Sequence, residues 1–194
     1  MKLILAAALF TLAPLAHAAE FPSEFTIREE FFSLTTSLDV TAGGKDFGTV
    51  SQKLLSLTRS FRYTDAAGAC LAEARSRILT WGSHVDVTDC SGTKIGGIKE
   101  QVFKSLFKVH TTYSILDAAD RVVAVSTKVE WISTFLEMTK PTGEQVATMQ
   151  RPWLSIPTDR WTIKIVDKTA VDPRLIVMIA AYKTSVDNAR RKDK

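Results

Sequence analysis

Three histidines and two cysteines are the first residues to search for chemistry in this chain of 194 residues. His17 falls within the N-terminal 18 residues, while His84 and His110 lie within strand-like stretches. Neither is expected to have a metal-compatible partner nearby in sequence, so each reads as a surface or wall histidine of a β structure. Cys70 and Cys90 belong to no Cys-x-x-Cys motif, and Cys70 lacks the local context of a known nucleophile. No Gly-x-Ser-x-Gly, His-Glu-x-x-His or phosphate-loop motif occurs. Gly96-Gly97 sits inside a strand, where paired glycines mark a bulge or a close approach more often than a phosphate cradle. No cofactor or metal is therefore expected. A non-enzymatic binding module is the favoured class. A hydrolase or transferase whose residues converge only in three dimensions is the alternative, with a purely structural envelope protein behind both.

The basic residues suggest a surface instead. Lys94, Lys99, Lys104 and Lys108 accumulate near Phe103 and Phe107. A cationic, aromatic-edged face of this kind suits anionic lipid head groups, each lysine adding ~1 kcal/mol near a charged membrane. The same lysines also suit a solvated strand edge, where they discourage edge-to-edge pairing. Trp81, Trp131, Trp153 and Trp161 offer either an aromatic platform for a ligand or packing in the core and at its ends. A net charge of +4 is too mild to imply nucleic acid. Only residues 189–194, with Arg190, Arg191, Lys192 and Lys194, are locally basic, and they read as a solvated polar tail.

The first 18 residues have the parts of a cleavable export signal. Lys2 gives the positive start, Leu3 to Leu15 is almost wholly apolar, and Ala16-His17-Ala18 places small residues where the peptidase inspects them. The run is shorter than the ~20 residues a membrane span needs, and Pro14 interrupts it. The expected mature product starts at Ala19, is periplasmic or secreted, and has no other stretch long enough to span. Its length suits one domain, residues 19–188.

Alternation, rather than helical period, runs through that domain from Phe25 onward. Phe61 to Thr64 leads into Asp65-Ala66-Ala67-Gly68 and out through Cys70 to Ala74. His84 to Thr88, Asp89-Cys90-Ser91-Gly92 and Lys94 to Ile98 repeat the plan. So do Thr111 to Leu116, Asp117-Ala118-Ala119-Asp120 and Val122 to Val129. A further copy joins Thr134–Met138 to Gln145–Met149 through Lys140-Pro141-Thr142-Gly143, and a looser one pairs Phe31–Leu34 with Phe47–Val50 around Ala42-Gly43-Gly44. An aspartate at the start of such a turn bonds its own backbone, and glycine accepts the positive φ that closes it. Consecutive hairpins make a sheet of ten or more strands, which tends to close and so removes its edges. The Asp65 and Asp89 turns fall at the same end, two strands apart. Cys70 and Cys90 can then meet in a disulfide, or remain two structural thiols.

The C-terminus breaks the pattern. Trp161 to Val166 is a last strand, and Asp172-Pro173 reads as a helix N-cap with proline at the first helical position. Leu175 to Tyr182 is apolar on every face, so this helix, about residues 172–187, must be buried on every face. In a barrel of hairpins the middle is the place that allows it.

Ile98-Lys99-Glu100 through Phe107, Tyr113-Ser114-Ile115, Val122-Val123-Ala124, Phe135-Leu136, Gly143 to Ala147 and Arg151 together resemble the LURP-one-related proteins. Asp172-Pro173-Arg174-Leu175 into Ala180-Ala181-Tyr182-Lys183 is similar to their closing helix. These proteins share a fold with the tubby C-terminal domain and the phospholipid scramblases. The resemblance spans about Phe25 to Asn188 and implies a closed antiparallel β-barrel of about twelve strands around a central C-terminal α-helix. The matching motifs are structural and carry no ligand residues with them.

Overall fold

The computed structural model describes residues 20–30, 37–53, 58–77, 83–104, 109–129, 133–152 and 160–192. The strands in chain order are β1 (Glu24–Glu29), β2 (Ser37–Ala42), β3 (Lys45–Lys53), β4 (Ser60–Asp65), β5 (Cys70–Ser76) and β6 (His84–Thr88). They continue with β7 (Lys94–Lys104), β8 (Val109–Asp117), β9 (Val122–Ser126), β10 (Phe135–Thr139), β11 (Gln145–Gln150) and β12 (Arg160–Ile165), and α1 (Pro173–Lys192) ends the chain. Each strand pairs antiparallel with its sequence neighbours, and β12 returns to pair with β1, Glu24 opposite Lys164. The result is a closed barrel of twelve strands, as the resemblance implies.

One turn chemistry recurs along one end of the barrel. Asp65 Oδ1 accepts from the amides of Ala67 and Ala69 at 2.9 and 2.8 Å. Asp89 does the same for Ser91 and Thr93, and Asp117 for Ala119 and Arg121. Each aspartate replaces a missing ladder bond with its own carboxylate, which turns the chain within a few residues. Gly68 and Gly92 close the first two turns at φ +82° and +88°. Asp120 takes that place in the third at φ +61°, a conformation aspartate tolerates better than most residues.

Inward positions carry the apolar half of the alternation. Ile27, Val40, Val50, Tyr63, Val85, Ile98, Ile115, Leu136, Met149 and Ile163 are all fully buried. The axis of the barrel is filled by α1, whose Leu175 to Tyr182 are at most 2% exposed. Asp172 caps it, accepting from the Arg174 amide at 2.9 Å, and Pro173 takes the first helical position. Gly96 shows how tightly helix and wall meet: a Cβ there would stand 2.7 Å from Leu175 Cδ1 and 2.4 Å from the Leu116 carbonyl. The paired glycines of β7 therefore serve close approach.

Two expectations need correction. The strand before the Gly43-Gly44 turn is Ser37–Ala42, where Leu38 and Val40 alternate inward. The expected segment Phe31–Leu34 lies outside the described residues. The helix also runs on to Lys192, taking in most of the segment read as a tail. Ala189, Arg190, Arg191 and Lys192 are good helix formers. The export signal, residues 1–18, lies outside the described residues. Among the described residues no helix is long and apolar enough to cross a membrane.

Candidate functional site: a basic outer wall

With the axis filled by α1, the outer wall is where side chains are free to meet a partner. Alternation and register decide which side chains face outward. Phe61, Tyr63, Ala72, Ala74, Val85 and Val87 are buried inward. Their neighbours Arg62, Arg75 and Arg77 are exposed, as are Lys53 at the end of β3 and Lys99 on β7. The ladder brings them to one face: Lys53 and Arg75 flank Ser60 from β3 and β5, and Lys99 stands opposite His84. Lys94 joins the same wall through its partner Thr88.

The carboxylates on this wall are already engaged. Glu73 lies 3.4 Å from Arg62. Asp86 receives a fork from Arg77, Nε to Oδ2 at 2.5 Å and Nη2 to Oδ1 at 2.6 Å. Two parallel charge-assisted bonds make this the firmest pair on the wall, and they hold the Asp86 carboxyl below the usual carboxylate range. Lys94 Nζ donates to Asp120 at 2.6 Å and lies 3.7 Å from Asp86. Among the described residues, Lys53, Arg75 and Lys99 have no ion pair, so the wall carries uncommitted positive charge. Elsewhere Arg28 lies 3.6 Å from Asp39, while Arg160, opposite Arg28 in the ladder, has no ion pair among the described residues.

His84 lies on β6 between Arg77 and Lys99. Its Nε2 is 3.6 Å from Asp86 Oδ1 and has no hydrogen-bond partner. Burial, and then the charge of Arg77, hold its imidazole below the ordinary range. His84, Asp86 and Asp120 bring potential ligand atoms within 4.8 Å of one another. Arg77 and Lys94 are ion-paired to these two carboxylates, so the three groups sit inside an ion-pair network.

Of the four lysines read as one basic face, Lys94 is half-buried in its ion pairs and Lys99 is exposed. Only the backbone of Lys104 is described, and Lys108 lies outside the described residues, as do Trp81, Trp131 and Trp153. His110 is half-buried on β8. Lys53, Arg62, Arg75 and Arg77 are absent from the sequence reading because nearness along the chain hides nearness across a ladder. The alternation Glu73-x-Arg75-x-Arg77, aligned with the outward residues of the next strand, is the signal that finds them.

Cys70 and Cys90 are joined in a disulfide with Cα atoms 6.0 Å apart, tying the start of β5 to the β6–β7 turn. Arg174 adds a tie from the helix entrance, Nη1 donating to the Leu71 carbonyl at 3.1 Å.

A second charged group lies inside the barrel. Lys183 Nζ donates to both oxygens of Asp187 at 2.7 and 2.6 Å, and Arg151 Nη1 donates to Oδ2 at 3.1 Å. All three are at most 5% exposed. The Trp161 ring lies beneath both cations, 4.7 Å from Arg151 and 5.6 Å from Lys183. Trp161 is thus interior packing with a cation–π role. Nearby, Tyr182 Oη donates to Glu100 at 2.8 Å, and burial raises the phenol pKa well above the ordinary value.

A closed twelve-stranded barrel wrapped around its own C-terminal helix defines the structural class. The model of the LURP-one-related family matches residues 23–182, and the chain belongs to that family. The X-ray structure of a protein from Arabidopsis thaliana is 13% identical, covering 86% of this chain and 93% of its own, with a TM-score of 0.38. No curated protein matches the chain.

Proposed function

We propose that this protein is an exported, non-enzymatic binding barrel whose β3–β7 wall docks on an anionic, phosphate-bearing lipid surface. The observation that carries this reading is the set of uncommitted cations, Lys53, Arg75 and Lys99, beside pairs that use up the local carboxylates. Family and barrel fold suggest a binding-type protein. The filled axis turns attention to the outside. The disulfide supports export, since such bonds persist in oxidising compartments.

Co-sedimentation with phosphatidylcholine vesicles, with and without phosphatidylglycerol, tests the docking. Binding should require the anionic lipid and weaken with salt. Replacing Arg75 and Lys99 together by glutamine should weaken it roughly 30-fold, at ~1 kcal/mol for each cation. Equal binding to both vesicle types would overturn the reading. Intact mass of protein recovered from periplasm or medium tests export, with Ala19 as the expected first residue.

A further inference from the structure

Resting on that reading, we propose that His84 makes the wall pH-sensitive, adding a positive charge to it on acidification and so tightening its hold on anionic lipid.

The geometry places one titratable ring among fixed charges. From the β5 side come Arg75 and Arg77, and the Arg77 amide donates to the His84 carbonyl at 2.8 Å. Along β6 lies Asp86, already forked by Arg77. From β7 come Lys94 and Lys99, the latter directly opposite in the ladder. From β8 come the neutral Ser114 and Leu116, opposite Lys99 and Gly97. The β8–β9 turn supplies Asp120, which Lys94 holds. Gly97 leaves room for the imidazole on the sheet: a Cβ there would stand 3.4 Å from Nε2.

The free wall disfavours a proton on His84. The ring is mostly shielded from water, Nε2 lacks an acceptor, and Arg77 and Lys94 repel the added charge. Asp86 and Asp120 pull the other way, but each is shared with a cation. A layer of lipid phosphates over Arg75, Arg77 and Lys99 offsets the repulsion from the cations and favours the protonated ring. By linkage, whatever raises the His84 pKa on binding also strengthens binding as pH falls. A displacement of one pKa unit corresponds to up to ~10-fold in affinity.

Phosphatidylglycerol vesicles are the probe, because their phosphodiester does not titrate in the histidine range. Binding should tighten several-fold between about pH 7.5 and about pH 5.5. His84→Gln should flatten that slope, while His110→Gln should keep it. Should His84→Gln fail to fold, NMR titration of the His84 ring in the parent, with and without short-chain phosphatidylglycerol micelles, should show an upward shift on binding. A slope that survives His84→Gln, or a ring pKa unmoved by lipid, overturns this inference and leaves the docking wall standing. Absence of binding at both pH values overturns both.

Discussion

Asp187→Ala probes whether the far half of α1 is truly interior. Asp187 is 1% exposed and receives three hydrogen bonds, two from Lys183 and one from Arg151. Removing the carboxylate takes a buried anionic partner from both cations beside the Trp161 ring, where water cannot replace it. Breaking a buried pair from one side costs about 3–5 kcal/mol. That is a large part of the ~5–15 kcal/mol by which a domain is stable. At roughly 2–4 °C per kcal/mol for a domain of this size, the melting temperature should fall by about 10 °C. Lys183→Met should cost less, because Arg151 still donates to Asp187. Urea denaturation of both variants beside the parent supplies the measurement. If Asp187→Ala unfolds within about 0.5 kcal/mol of the parent, the ion pair is no more than a surface one and the interior placement is wrong.

The apolar half of the helix gives a companion test. Ile176→Ala or Ile179→Ala should cost ~2–5 kcal/mol in the same assay, and Ile176→Asp should prevent folding, since both sites are 0% exposed. Stability of Ile176→Asp equal to the parent would put the helix outside the barrel. The Cys70–Cys90 bridge closes a loop with a sequence separation of 20. Its removal in Cys70→Ser/Cys90→Ser should lower stability by about 3 kcal/mol, and non-reducing peptide mapping of the purified parent should show the linked pair.

Much of this fold is local and was therefore legible. Asp65, Asp89 and Asp117 announce their turns because an aspartate bonds its own backbone within four residues. Leu175 to Tyr182 announces its burial because no face of that helix is polar. Neighbouring hairpins also place Cys70 and Cys90 within reach, although the residues alone could not choose between bridge and thiols. Closure is not local. Glu24 meets Lys164 only because strand twist and tilt bring the first strand round to the last. The charged sites depend on the same step. Arg151 is separated from Asp187 by 36 positions and Tyr182 from Glu100 by 82, and no spacing rule joins them. On the outer wall, Lys94 finds Asp120 across a hairpin, and Lys53 and Arg75 share a face on either side of Ser60. The hairpins, the buried helix and a surplus of lysine around β7 follow from the residues in order, because backbone geometry and side-chain polarity act over a few residues. Only the closed barrel decided which cations share a face and which charges are sealed inside, because register between strands is set by the whole sheet closing around α1.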